Sequence, residues 1–176
     1  KMAAAMNDQI NKEMYSGYLY MAMSAACTEM GLNGFAKWLM VQYHEEMFHA
    51  MKMYEYVADQ GSRVVLKTIE QPPGTFDSIP AMFQKVQEHE QFVSSRINTL
   101  VDIAEHEKDK ATGIFLQWYV MEQVEEESNA GQLVSQLKTI DNNPTGLFML
   151  DEKLGQRAAN VPTDFSVGVT AAAKGE

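Results

Sequence analysis

A carboxylate and an imidazole stand three residues apart at Glu46 and His49, within a stretch from Phe35 to Gln60 that contains no glycine or proline. Such a stretch is typical of a helix, and positions i and i+3 of a helix share one face. Both groups can therefore point at one object about one helical turn long. The simplest such object is a metal ion, although two ligands are too few to hold it.

Three further helical stretches carry polar side chains that interrupt an apolar stripe. Glu13 and Glu90 each interrupt one stripe, and Gln123 and Glu126 interrupt a third at positions i and i+3. The distance from Glu13 to Glu46 is 33 residues, and so is the distance from Glu90 to Gln123. The same arrangement thus occurs twice, with a single carboxylate on one helix and a pair on the next. Four-helix bundles hold two metal ions with inward-facing carboxylates of this kind.

The ligand types limit the metals that would bind. Carboxylate oxygens with one imidazole suit Fe(II), Fe(III), Mn(II) or Zn(II), and the lack of cysteine among these positions argues against copper(I) or an iron–sulfur cluster. An oxygen-rich anionic shell favours Fe(III) over Fe(II), and Gln123 in place of a carboxylate is expected to weaken the second site so that product leaves. The alternative is a purely structural bundle with hydrogen-bonded acids in its core. Because unpaired buried carboxylates are costly to desolvate, five such positions in register argue against it.

Composition and charge restrict the class of protein. The 176 residues suit one domain, and only 5 prolines among many helix-forming residues predict an all-α fold. A net charge of −10 argues against nucleic acid and makes cations the natural ligands. The single cysteine, Cys27, suits a reducing compartment. Neither a signal peptide in residues 1–20 nor an apolar run of about 18 residues is present, so we expect no membrane association and a cytoplasmic location.

Glycines and polar clusters divide the chain into helices. The pattern predicts a first helix from about Met6 to Met30 that ends at Gly31, with Asn33 and Gly34 making the turn, and a second helix from about Phe35 to Gln60. So short a link makes the two helices antiparallel neighbours.

Residues 62–77 show no helical period, and a connection of this length inside a domain needs a role. Extended, it spans about 50 Å, whereas a helix of about 25 residues is about 38 Å long. The segment can therefore travel back along a helix, which would make the second and third helices parallel.

The remaining elements follow from caps and apolar groups. Ser78 is expected to cap a third helix that continues to about Glu107, and Asp109 a fourth that runs from about residue 111 to residue 139. A short fifth helix is predicted at 146–155, and its large apolar side chains need a partner surface, which we expect at a symmetry axis between copies of the chain. These side chains are Leu147, Phe148, Leu150 and Leu154. Residues 1–156 should form the domain and residues 157–176 a weakly ordered tail.

From about Ile10 to Gly155 the chain resembles bacterial non-haem ferritins. The resemblance rests on Glu-Met-Tyr-Ser at 13–16, Glu-Glu-Met-Phe-His at 45–49, His-Glu-Gln at 89–91 and the run at 115–127, and residues 146–151 resemble the family's fifth helix. It implies a ferritin-like four-helix bundle with a long crossover between helices 2 and 3 and a short fifth C-terminal helix. It also implies a ferroxidase that oxidises Fe(II) with dioxygen or hydrogen peroxide and passes Fe(III) to a mineral inside a homo-oligomeric shell of 24 subunits. No haem is expected.

Site residues are carried over one position at a time. The resemblance implies that Glu13, Glu46 and His49 hold the first iron, with Glu46 bridging, that Glu90 and Glu126 serve the second, and that Gln123 lines the dioxygen side. A third, transit iron would fall on Glu45, Glu122, Glu125 and Glu126. Tyr20 matches the family's tyrosine beside the centre, a candidate one-electron donor, and Trp118 is a second candidate; the alternative for both is a core aromatic residue. An acidic run such as 122–127 has a second interpretation as a solvated face.

Two rival families share parts of this pattern. Met47 stands where the haem-containing bacterioferritins place their haem-ligating methionine, but that family has a second Glu-x-x-His in the fourth helix, where this chain has Gln123-x-x-Glu126. Rubrerythrin-like peroxidases or oxygenases add cysteine pairs, which this chain lacks. The pattern therefore favours a non-haem ferritin.

Overall fold

Five helices make up most of the chain in this computed structural model, which describes residues 1–141, 143–165 and 168–169. They are α1 (Met2–Glu29), α2 (Asn33–Asp59), α3 (Ile79–Glu107), α4 (Lys110–Ile140) and α5 (Pro144–Leu154). No strand occurs in the described ranges, so the prediction of an all-α chain is confirmed. None of the helices in these ranges is both long and apolar enough to cross a membrane.

The helix ends show the predicted caps. The Ser78 hydroxyl accepts a hydrogen bond from the backbone N–H of Ala81 at 3.2 Å. Asp109 accepts from the Thr112 hydroxyl at 2.6 Å and from the Thr112 backbone N–H at 3.1 Å, and these bonds hold the pKa of Asp109 below its ordinary value. Gly31 ends the first helix with a φ of +76°, a left-handed conformation that glycine adopts without strain.

Two predicted boundaries are wrong, and both errors have a physical reason. The helix α1 begins at Met2 rather than Met6, because Met2 is buried and its backbone N–H donates to Glu107 Oε2 at 3.3 Å. The predicted turn residues Asn33 and Gly34 instead open α2. A Cβ atom on Gly34 would lie 1.7 Å from the carbonyl oxygen of Asp151, so this glycine serves a close backbone approach rather than a turn.

The chain divides into two compact units. The first contains residues 1–5 and 77–144, and therefore α3 and α4. These helices are joined through Lys108 in a left-handed conformation and run antiparallel, since Gln123 lies beside Ser94 whereas Gly131, later in α4, lies beside Gln87. This hairpin carries the second half of the repeated pattern.

The second unit contains residues 6–76 and 145–176, and therefore most of α1, all of α2, the crossover segment and nearly all of α5. The first two helices are antiparallel, as predicted: the Ser24 hydroxyl donates to the Ala36 carbonyl at 2.9 Å, and Gly17 lies against Tyr43. This hairpin carries Glu13 on α1 and Glu46 and His49 on α2.

The crossover segment, 60–78, contains neither helix nor strand and lies along α1. The side-chain amide of Asn7 donates to the Arg63 carbonyl at 3.0 Å, and its oxygen accepts from the Val65 N–H at 2.8 Å. One turn later in α1, Asn11 donates to the carbonyl of Lys67 at 3.2 Å. The segment thus advances in the direction of α1 and opposite to α2, which is the return path that the predicted crossover required.

Inside the second unit, α5 packs on the beginning of α2. Leu150 and Leu154 are buried, and Asp151 Oδ1 accepts from the Phe35 N–H at 2.9 Å. The expectation that the apolar groups of this helix pack between copies of the chain is therefore wrong for these two leucines, whereas Phe148 is exposed. Of the predicted weakly ordered tail, residues 166–167 and 170–176 lie outside the described residues.

Candidate metal centre

The side chains of Glu13, Glu46 and His49 converge on one point. One ligand atom of each lies within 4.8 Å of those of the other two, and each residue is at most 2% exposed. Glu46 Oε2 lies 3.5 Å from His49 Nδ1. In the described ranges no other set of three His, Cys, Asp or Glu side chains approaches as closely. The structure thus brings together the three residues that the sequence assigns to one ion.

The charges in this cluster favour a cation. Two ionised carboxylates whose oxygens lie within 4.8 Å of each other repel by about 3 kcal/mol or more at an effective dielectric constant of about 20. The Oε1 atom of Glu13 accepts a hydrogen bond from Gln9 at 2.9 Å, whereas its buried Oε2 atom has no hydrogen-bond donor among the described residues. Buried acceptors nearly always have a donor, and a metal ion bound to Oε2 would take the place of one. The donor set thus fits a divalent or trivalent ion.

Sequence reasoning missed Gln9, which orients the first carboxylate. Gln9 is fully buried one helical turn before Glu13, and its Nε2 atom is the donor to Oε1. Residues that hold a ligand in place contribute to metal affinity although they do not touch the metal. The signal that could have revealed it is the i, i+4 spacing of two polar residues in an otherwise apolar stripe.

The second half of the pattern lies on the α3–α4 hairpin. Glu90, Gln123 and Glu126 are all buried. The Nε2 atom of Gln123 donates to Glu90 Oε2 at 3.2 Å and lies 3.3 Å from the Glu90 carbonyl oxygen. Because both acceptors are on Glu90, the orientation of the Gln123 amide follows from this network. The structure thus places Gln123 against Glu90 and turns the amide oxygen away from these two acceptors.

A cavity of about 220 Å³ adjoins Gln123 in the same hairpin, with four polar and three apolar side chains in its wall. The wall is formed by Ser94, Ile97, Asn98, Val120, Gln123, Val124 and Glu127. The Ser94 hydroxyl donates a short hydrogen bond to Glu127, and Gln123 Nε2 lies 3.4 Å from Ser94 Oγ. A continuous polar chain therefore runs from Glu127 in the cavity wall to the buried carboxylate of Glu90.

The four residues predicted to hold a transit iron have different environments. Glu45 is buried and forms an ion pair with Arg157, in which Nη2 lies 2.7 Å from Oε2. On α4, Glu126 is buried, Glu122 is half-buried and Glu125 is exposed. In the described chain, none of them belongs to a group of three converging ligand atoms. The assignment of these residues to a transit iron rested on resemblance alone and did not anticipate the Arg157 cation beside Glu45.

The predicted electron donors are both aromatic residues with packing roles. Tyr20 lies two turns after Glu13 on the same face of α1 and is fully buried. Trp118 is half-buried, and its ring packs edge-to-face on Tyr119 with 4.8 Å between centroids.

Cys27 is a buried neutral thiol outside the metal cluster. Burial and, secondarily, the charge of Asp151 raise its pKa to about 12.

Known proteins share this architecture. A family model described as a ferritin-like domain matches residues 3–140. A bacterial non-haem ferritin from Campylobacter jejuni is 42% identical over 147 residues, covering 84% of this chain and 88% of that protein. One from Bacteroides fragilis is 41% identical over 157 residues, covering 89% and 98%.

Solved structures show the same similarity in three dimensions. An open-pore ferritin from the hyperthermophilic archaeon Archaeoglobus fulgidus is 48% identical and superimposes with a TM-score of 0.89, covering 90% of this chain and 98% of that one. The predicted helical bundle with a short fifth helix is therefore confirmed. By sequence and by fold, this chain belongs to the ferritin family, among the bacterial non-haem ferritins.

Proposed function

We propose that this ferritin oxidises Fe(II) with dioxygen and deposits the Fe(III) as a mineral inside a hollow shell of its own copies, as part of iron storage and detoxification. The observation that carries the proposal is the buried cluster of Glu13, Glu46 and His49, whose ligand atoms lie within 4.8 Å of one another. Iron is the substrate and the cargo of this reaction. We assign the first Fe(II) to this cluster.

The second Fe(II) is assigned to Glu90 and Glu126, with Gln123 beside it. Hard oxygen ligands bind Fe(III) more strongly than Fe(II), so they favour oxidation. Two Fe(II) ions supply two electrons, which together with two protons reduce one dioxygen to one hydrogen peroxide. Gln123 is a neutral group whose Nε2 atom is held by Glu90. It therefore adds no charge to retain Fe(III), which can leave for the mineral.

The further roles rest on the resemblance of the sequence. We propose that Glu45, Glu122, Glu125 and Glu126 serve a transit iron, and that Tyr20 or Trp118 supplies an electron. We also propose a shell of 24 subunits in the cytoplasm, with dioxygen or hydrogen peroxide as the oxidant. The single cysteine of the chain agrees with a reducing compartment.

Removing one ligand of the first iron tests the proposal. We expect Glu13→Ala, Glu46→Ala and His49→Ala each to slow the fast phase of Fe(II) oxidation by about 100-fold or more, because deleting a ligand does more than the 10- to 100-fold effect of deleting its support. The measurement is stopped-flow absorbance of the ferric product. The control is Glu29→Ala, which removes an exposed carboxylate from the last residue of α1.

Fast phases equal to wild type in all three ligand variants would remove these residues from the centre. The shell is tested separately by size-exclusion chromatography with light scattering, before and after aerobic loading with Fe(II). We expect a particle of unchanged size that gains mass as it fills. A particle that oxidises iron but retains none would refute storage and leave oxidation standing.

A further inference from the structure

Arg157 lies three residues beyond the end of α5 and is bound by one face of α2. Its Nη2 atom lies 2.7 Å from Glu45 Oε2, and its Nη1 atom lies 2.5 Å from Gln42 Oε1. The guanidinium carbon lies 4.7 Å from the ring centroid of Trp38. Trp38, Gln42 and Glu45 lie at helical spacing on one face of α2, and all three contact the guanidinium group. Such an arrangement is a built binding site for a cation.

The ion pair within this site is largely removed from water. The Glu45 side chain is 10% exposed and that of Arg157 is 20% exposed. Exposed ion pairs contribute little, but breaking a buried pair leaves a charge that nothing compensates. A positive charge beside Glu45 therefore stabilises its ionised carboxylate. Arg157 supplies that charge in this structure, and a metal ion is a second cation able to supply it.

Glu45 also stands directly before Glu46, a member of the metal cluster. We propose that Arg157 competes with iron for Glu45. Its guanidinium forms an ion pair with the Glu45 carboxylate in the metal-free chain and is displaced when a divalent metal ion binds to that carboxylate. The inference rests on the proposed role of Glu45 as an iron ligand. Metal binding at Glu45 is then coupled to release of the Arg157 side chain.

The local structure allows this exchange. The carbonyl oxygen of Gly155 is held by Lys37 Nζ at 2.7 Å, which fixes the chain just before Arg157. The residues that follow, 158–160, are exposed. The guanidinium can therefore swing into water about a fixed point while α5 stays in place. A divalent ion that replaces it brings a larger positive charge to the same carboxylate, so the charge of Glu45 remains compensated.

The site contains its own reporter. Trp38 is one of only 2 tryptophans in the chain, and the other is Trp118. In a Trp118→Phe protein, Trp38 is the sole indole, and departure of the guanidinium from its ring removes a cation–π contact. Emission from Trp38 therefore reports the position of Arg157 independently of any oxidation.

The experiment uses Zn²⁺, which binds carboxylates and has no redox chemistry. Assembled, metal-free Trp118→Phe protein is titrated with Zn²⁺ while calorimetry measures binding and fluorescence measures Trp38. Zinc binding that is present in the Trp118→Phe parent and lost in its Glu45→Gln variant is assigned to Glu45. We expect Trp38 emission to change only as zinc binds to Glu45. We expect Arg157→Ala to bind it about tenfold more tightly, with no emission change.

Two further variants separate competition from structural support. Arg157→Lys restores a cation and should return the affinity toward that of wild type. Lys153→Ala removes an exposed cation from α5 and should leave both signals unchanged. Any weakening of zinc binding in Arg157→Ala would make Arg157 a supporting residue and overturn the proposal.

The outcomes also distinguish this inference from the proposed function. If Glu45→Gln binds as much zinc as the parent protein, Glu45 is not a ligand, and its proposed role fails together with the competition. If Glu45→Gln loses zinc while Arg157→Ala binds like the parent and Trp38 emission stays constant, the ligand role stands and only the competition is refuted.

Discussion

Gly34 lies in the first turn of α2, where the backbone of α5 approaches most closely. A Cβ atom at this position would lie 1.7 Å from the carbonyl oxygen of Asp151 and 2.5 Å from its carbonyl carbon. Both atoms belong to the main chain, so no side-chain rotation relieves the overlap. We therefore predict that Gly34→Ala forces α5 away from α2.

The magnitude follows from what holds α5 in place. Leu150 and Leu154 are buried, and each contributes about 1.5–3 kcal/mol. The hydrogen bond from the Phe35 N–H to the Asp151 carboxylate adds about 1.5–3 kcal/mol. Complete undocking of α5, which loses both burials and this hydrogen bond, therefore costs about 4.5–9 kcal/mol.

Hydrogen exchange followed by mass spectrometry measures this loss directly. Because 1.4 kcal/mol is a factor of ten, even a third of the lower value accelerates exchange of the α5 amides about tenfold. The control is Gly113→Ala in α4, where an added Cβ atom meets nothing within 4 Å. Wild-type exchange of α5 in Gly34→Ala would show that the close approach does not decide docking.

Three further predictions concern single groups. Replacing Gln9 with Leu should weaken Zn²⁺ binding to the nearby cluster about tenfold in calorimetry, whereas Gln84→Leu, which breaks an exposed Gln–Glu pair of the same spacing, should not. Asp109→Ala should cost about 1 kcal/mol in denaturant unfolding at neutral pH. Because the pKa of Asp109 is lowered in the folded chain, this difference is full above the ordinary pKa of about 3.9 and disappears as the pH falls through the folded value. Cys27, with its pKa raised to about 12, should resist alkylation near pH 8 in the native protein and react once per chain after unfolding.

Much of the candidate site could be predicted because its information is local. The i, i+3 spacing of Glu46 and His49 places both on one face of a helix, and Glu13 stands in an apolar stripe that must turn inward. The caps at Ser78 and Asp109 are likewise local, since each accepts from a residue three positions later. Features of this kind depend on helical periodicity alone, so the folded chain shows them where the sequence predicts them.

What could not be predicted depends on contacts distant in sequence. Gly34 has the composition of a turn residue, but its role is set by Asp151, which only folding brings near. Arg157 and Glu45 are 112 residues apart, and nothing in the pattern of the tail pairs them. Sequence reasoning assigned Glu45 to iron by resemblance, and so overlooked that the chain supplies a cation of its own.

The crossover segment is held to α1 by hydrogen bonds to its main chain and by one ion pair, in which Lys67 Nζ lies 2.8 Å from Asp8 Oδ1. The amide of Asn7 contacts the carbonyl of Arg63 and the N–H of Val65, and Asn11 contacts the carbonyl of Lys67. All three bonds are independent of the side chains in the segment. The path of the segment beside α1 is therefore specified largely by Asn7 and Asn11, so replacing the exposed side chain of Arg63 or Val65 should preserve it, whereas replacing Asn7 should not.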